Sequence, residues 1–305
     1  MQIAEEVRSA VAAGRAVVAL ESTLLAHGLP PGRNREVAAR LEDAVRAVGA
    51  VPATVAVLGG TAVVGLSGAE LDRVCDPAAG LVKVSRRDLG PAYALGRDGA
   101  TTVAATAALA HAAGIGVFAT GGLGGVHRAD GGAALSWDVS ADLDVLATTP
   151  VLVVCSGVKS VLDVPATLEA LETRSVPVLG YRTDRFPAFY LRGSDHPVPW
   201  RVDTPAQAAA VVAAHRTVPG TAGVLLANPV PAEAELPADL HERLMAGGLA
   251  LLAARGIAGK HVTPALLEHF HAESDGASLA ANEALVLANA TLAAEVALAL
   301  AEALG

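Results

Sequence analysis

Seven short β-rich runs punctuate this chain, at 16–20, 54–58, 81–84, 115–119, 151–155, 176–179 and 223–227. Most lack the polar–apolar alternation of a strand with one wet face, so they read as strands covered on both sides. Segments of helical period separate them. In 34–48, Val37, Leu41, Val45 and Val48 recur on one face. Similar patterns span 100–113, 165–173 and 205–215, and from Pro237 the chain is almost wholly helical. Strand and helix in alternation predict a layered α/β/α fold with a largely parallel central sheet and a helical C-terminal part. No repeat or low-complexity linker divides it, so 1–305 reads as a single domain. The weakest boundary is the Pro-rich stretch 187–202, read as a lid or a subunit contact.

Composition narrows the function. Apolar residues make up 52% of the chain, enough for a large core without staples. Cys75 and Cys155 sit in or near apolar runs, which predicts buried free thiols and a reducing cytoplasm. The formal net charge is −9, and no basic run exceeds 83–87. That argues against a nucleic-acid or anionic-membrane surface. The opening MQIAEEVRSA lacks the basic flank and apolar block of a signal peptide. The stretch 284–304 is apolar, but Asn289, Thr291, Glu295 and Glu302 interrupt it. A buried or subunit-contacting helix is expected there rather than a membrane span.

In open α/β sheets, ligands bind beyond the carboxyl ends of the strands. Polar residues collect at four such ends: Glu21-Ser22-Thr23 and His27; Ser85 to Asp88; Thr120 to Arg128; and Ser156-Gly157 with Lys159. Together they predict one site. Only three of the 22 basic residues are lysines: Lys83, Lys159 and Lys260. Arg cannot give up its proton, whereas a free lysine amine is a nucleophile. Lys159, just past a buried strand, is placed as a Schiff-base nucleophile would be.

Other positions carry two readings. Glu21 is either a general acid with a raised pKa or a loop-capping carboxylate. The segment 120–125 is either an anion nest or a bare tight turn. Lys83, with Arg86 and Arg87, is either a phosphate site or a solvated edge. Asp138 and Asp142 would share a face if helical and would suit Mg²⁺ or Mn²⁺. Alternatively they mark an acidic helix start with Asp138 or Ser140 as N-cap. Asn282 precedes the last apolar helix and decides nothing by itself.

Eight ordered motifs carry a resemblance: VVALESTLLAHGLP, GAVPATVAVLGG, LVKVSRRDL, GATTVAAT, GVFATGGLGGVHR, WDVSADL, VVCSGVKSVLD and LLANPVP. Together they resemble the pseudouridine-5′-phosphate glycosidases, whose fold group includes proteins named for indigoidine biosynthesis. The resemblance implies reversible cleavage of the C1′–C5 bond of pseudouridine 5′-phosphate to uracil and ribose 5-phosphate. It implies that Lys159 forms an imine with C1′ and that Glu21 donates a proton. Lys83, the Val103 backbone and the segment Ser140, Ala141, Asp142 would contact substrate. His127 and Asn282 match polar active-site positions. Asp138 would hold Mn²⁺, one per subunit of a homotrimer. The loop 128–137 looks longer than the family pattern, and Lys260 has no implied role. Rival readings are another Schiff-base lyase or aldolase acting on a sugar phosphate, and a non-catalytic sugar-phosphate-binding protein.

Overall fold

Each of the seven apolar runs forms a strand of one 11-stranded sheet. The computed structural model describes residues 1–128, 138–159, 161–257 and 262–304. In chain order the first half contains β1 (Gln2–Ile3), α1 (Glu5–Ala12), β2 (Val17–Leu20), α2 (Thr23–His27), α3 (Arg33–Val48), β3 (Val51–Leu58), β4 (Thr61–Val64) and α4 (Gly68–Cys75). There follow β5 (Val82–Val84), α5 (Leu89–Ala94), β6 (Gly99–Thr101), α6 (Val103–Ala112), β7 (Val117–Ala119), β8 (Val126–His127) and α7 (Ala141–Thr148). Then come β9 (Leu152–Cys155), β10 (Leu162–Asp163), α8 (Val164–Thr173), β11 (Val178–Tyr181), β12 (Trp200–Val202), α9 (Pro205–His215) and β13 (Val224–Ala227). The last part is helical: α10 (Ala238–Arg255), α11 (Val262–Glu273) and α12 (Ala277–Leu304).

The main path of the sheet runs β1-β4-β3-β2-β7-β9-β13-β11-β12, with β6 and β5 joined at β3. Pairing is parallel except where β3 meets β4 and β6. The β3–β4 hairpin turns on Gly59 and Gly60, both at positive φ, as a tight two-residue hairpin requires. Strands β2, β3, β9 and β13 are buried along their whole length, as unalternating runs predict. The exception is β5, where Val82 and Lys83 are exposed. Cys75 and Cys155 are buried and free.

Two expectations need correction, and the Pro-rich stretch 187–202 is located. Residues 100 and 101 belong to β6, and the helix starts at Val103 behind the Thr102 cap. Alanine and threonine there suit a short buried strand as well as a helix end. The Pro-rich stretch ends in β12, parallel to β11, and is pinned by bridges from Gly157 to Ala188 and from Arg185 to Pro197. Asn282 lies within α12, not before it.

Contacts sort the helices into two sets: α3, α12 and α9 in one, α6, α7 and α8 in the other. Right-handed crossovers put the sets on opposite faces of the sheet. Helix α12 is long and apolar enough to cross a membrane by composition alone. Here it packs on β2, β7 and β9 between α3 and α9, burying Leu285, Val286, Leu292 and Val296. The chain leaves β2 toward β3 on one side, while β7 connects to β9 on the other. Between β2 and β7, therefore, connections diverge and a crevice opens at the carboxyl ends.

Candidate active site

A cavity of about 270 Å³ occupies that crevice. Glu21 enters it from the end of β2 and Lys159 from beyond β9. Lys83 comes from β5, and Val103 from the first turn of α6. Ser140, Ala141 and Asp142 supply the start of α7, and His127 and Asp138 complete the rim. Of the residues to which the resemblance gives a role, all but Asn282 thus meet in one place. Larger grooves of about 410 and 620 Å³ lie elsewhere, and neither is lined by a lysine.

Glu21 is partly buried, and the Thr120 hydroxyl donates to its Oε1. Burial pushes the Glu21 carboxyl above its ordinary value. Lys159, the Thr120 hydroxyl and Lys83 pull it back, while Asp142 adds to the rise. Lys159 is held by backbone bonds on both sides: its N–H donates to Leu123 O at 3.2 Å, and its carbonyl accepts from Leu162 N–H at 2.9 Å. This places an amine and a protonatable carboxyl in one confined polar space, the arrangement that nucleophile and general acid need.

Asp142 ties the walls together. Its Oδ1 accepts from Ala104 N–H and its Oδ2 from Gly124 N–H, each at 2.9 Å. Ser140 is the N-cap of α7, its hydroxyl accepting from Asp142 N–H at 3.2 Å. Asp138 precedes the helix, next to Val139, which bridges Val126, so Asp138 and Asp142 share no helix face. Asp138 accepts the His127 N–H on its backbone oxygen at 2.9 Å, and its carboxylate lies 3.8 Å from His127 Nδ1.

Residues 6–299 match the family model described as indigoidine synthase A like protein. The chain belongs to this family. A relative from Streptomyces griseus named pseudouridine-5′-phosphate glycosidase is 55% identical over 303 residues, 99% of this chain and 92% of that protein. Another so named, from Salinispora tropica, is 54% identical over 297 residues, 96% of this chain and 90% of its own. The crystal structure of the prealnumycin C-glycosynthase AlnA in complex with ribulose 5-phosphate superposes with a TM-score of 0.90 at 41% identity, covering 99% of this chain and 97% of that one. An indigoidine synthase A like protein from Thermotoga maritima gives 0.87 at 35% identity, covering 98% and 96%.

In the segment 120–125 half of the backbone donors are already in use, which weakens the anion-nest reading. The N–H groups of Thr120, Leu123 and Gly124 are already bonded, to Val154 O, Gly157 O and Asp142 Oδ2. Gly124 alone in the segment lines the cavity. Its bareness serves packing, because a Cβ there would collide with Ser140 Oγ and lie 2.7 Å from Asp142 Oδ2. Of the two arginines read as a phosphate site, Arg87 lines the cavity, whereas Arg86 turns away to donate to Thr148 Oγ1 at 3.1 Å. Thr23, Ser85 and Thr102 also line it. Their only sequence signal is position, each just past a strand end.

Asn282 is buried but is not on the cavity wall, and neither amide atom has a hydrogen-bond partner among the described residues. Its neighbour Glu283 pairs with Arg33 and Arg40 of α3. Among the described residues no three His, Cys, Asp or Glu side chains gather as a metal cage. Asp138, whose side chain is 45% exposed, can supply one carboxylate ligand. That fits a hard divalent cation that keeps most of its water, and does not fit zinc. Lys260, Trp137 and most of the loop 128–137 lie outside the described residues.

Proposed function

We propose that this chain is a pseudouridine-5′-phosphate glycosidase that works through an imine on Lys159. The observation that carries the reading is the convergence of Lys159 and Glu21 in one cavity that Lys83 and Arg87 also line. The names of the relatives from S. griseus and S. tropica support the same substrate.

Ordinary glycosidases protonate a heteroatom leaving group. In pseudouridine the leaving atom is carbon, so another electron sink is needed. The Lys159 amine bonds to C1′ as the C1′–ring-oxygen bond breaks, and Glu21 delivers its proton to that oxygen. The nitrogen, having lost a proton, pushes its lone pair toward C1′. The C1′–C5 bond breaks, its electrons pass into uracil, and C5 takes up a proton. Water then hydrolyses the imine to ribose 5-phosphate and restores the amine. The raised pKa of Glu21 keeps it protonated nearer neutrality, as the acid role requires.

Lys83, Arg87 and the hydroxyls of Thr23, Ser85 and Thr102 would hold the 5′-phosphate, with the Val103 N–H at the helix start. Ser140, Ala141, Asp142 and His127 are assigned to the substrate surround. Asp138 would hold one hydrated Mn²⁺ per subunit, whose charge helps to orient substrate oxygens. A homotrimer in the cytoplasm belongs to the same proposal. The buried free thiols support the location, and the acidic net charge supports a small molecule as partner rather than nucleic acid or membrane.

The likeness to AlnA favours one second reading, C–C bond formation between ribose 5-phosphate and an aglycone other than uracil. The deciding experiment is uracil release from pseudouridine 5′-phosphate, followed by absorbance. Release supports the glycosidase. An imine trapped by borohydride without uracil release points to another lyase or to the C-glycosynthase. Binding without either leaves a sugar-phosphate-binding protein.

A further inference from the structure

A polar cluster lies buried at the carboxyl ends of β7, β9 and β13, behind the cavity wall. At its centre is Asn289 of α12, fully buried in an otherwise apolar stretch of helix. Its Nδ2 donates to Thr120 O at 2.8 Å and to Ser156 Oγ at 3.1 Å, and reaches Gly121 O at 3.4 Å. Its Oδ1 accepts from Asn228 Nδ2 at 3.0 Å. Carbonyl oxygens only accept, so the amide can face Thr120 and Gly121 in one orientation alone. Burying an amide in a hydrophobic layer is unfavourable unless its bonds are made. Here the bonds go to three strand ends, and two of them, after β7 and β9, lead to cavity residues Gly124 and Lys159.

Thr120 is the link. It is buried and does not line the cavity, yet its hydroxyl donates to Glu21. Its backbone is held from two sides, the N–H by Val154 O at 3.0 Å and the carbonyl by Asn289. We infer that Asn289 is a positioning residue for Glu21, fixing the Thr120 backbone so that the Thr120 hydroxyl aims at the carboxyl. The inference rests on Glu21 acting as proton donor. The groups that set the charge of Glu21 are Lys159, Thr120, Asp142 and Lys83. Of these, only Thr120 is held by Asn289. Losing its hydrogen bond removes a stabiliser of the carboxylate, so the Glu21 pKa should rise further. The protonated acid then persists to higher pH, and the alkaline limb of the rate profile moves upward.

The test compares uracil release by the parent, Thr120→Val, Asn289→Ala, their double variant and Asn228→Ala across pH. Asn289→Ala should lower kcat by roughly tenfold with KM changed less than about twofold, the split expected when orientation of an acid is lost rather than binding. Its alkaline limb should move in the same direction as that of Thr120→Val. The double variant should be no worse than Thr120→Val alone, because the two act in one chain. Asn228→Ala should show a smaller shift of the same sign, and it decides the matter if Asn289→Ala does not fold. Additive losses, or a lower Tm with the parent's pH profile in both asparagine variants, would overturn the inference while leaving the function intact. A parent that releases no uracil overturns the functional reading, and this inference with it.

Discussion

Glu21 and Asp138 are carboxylates of one cavity held in opposite ways. Glu21 sits at a strand end, partly buried, bonded by a buried hydroxyl and facing Lys159. Asp138 sits on the rim, nearly half-exposed, before α7 and beside His127. Burial perturbs an ionisable group and fixes its direction, whereas exposure leaves it screened and adaptable. The more buried groups of the cavity therefore suit covalent chemistry and proton transfer. The rim suits a hydrated cation and the exchange of ligands with solvent.

The largest effect should come from the more buried groups. Lys159→Arg keeps the charge but loses the free amine, so turnover should fall below detection. Borohydride with ribose 5-phosphate should add a reduced pentose phosphate to the peptide containing Lys159. Label on Lys83 or Lys260 instead would take the nucleophile role away from Lys159. Glu21→Gln should follow, with kcat reduced by roughly 10²–10⁴-fold, the usual worth of a general acid. A loss of only a few fold would mean that water or another group supplies the proton.

The rim should matter less and respond to metal. Chelation should stop turnover, and Mn²⁺ should restore it better than Zn²⁺, since the ligands are oxygens. Asp138→Asn should raise the Mn²⁺ concentration needed for half-activity. Full activity of that variant in chelator would remove the metal from the rim. Lys83→Ala should impair pseudouridine 5′-phosphate more than pseudouridine, by about 1.5–3 kcal/mol for one charge-assisted contact. Equal losses on the two substrates would move the phosphate elsewhere.

The smallest effect is on stability. Folding raises the Glu21 pKa, so between its unfolded and folded values the folded chain holds a proton that the unfolded chain has lost. Stability from this group is therefore present below the unfolded value and is lost as pH rises through the folded one. Glu21→Gln should lose less Tm than the parent as pH rises from the ordinary carboxylate range through the raised folded value of Glu21. An unchanged difference would show that burial does not perturb Glu21.

Much of this was legible in the chain. Unalternating apolar runs and helical periods are local, and they located the seven principal strands, the helices 34–48, 165–173 and 205–215, and the helical tail. The polar residues after β2, β5, β7 and β9 named the cavity before its geometry was known. The scarcity of lysine singled out Lys83 and Lys159, both of which line it. Short edge elements such as β1 and β12 escaped, because two or three residues carry no period.

Hydrogen-bond partners were decided only by tertiary structure. A glycine-rich loop advertises its donors, but the acceptor of Gly124 N–H is Asp142, 18 residues on. Asn289 reads as a blemish in an apolar helix until folding sets it against Thr120, 169 residues away. Arg86 and Arg87 are adjacent and chemically alike, yet the turn after β5 sends only Arg87 to the cavity. Periodicity and composition belong to neighbours along the chain and survive in a string of letters. Satisfaction of a buried polar group belongs to neighbours in space, and those are chosen when the sheet closes its order and the last helix lies down across it.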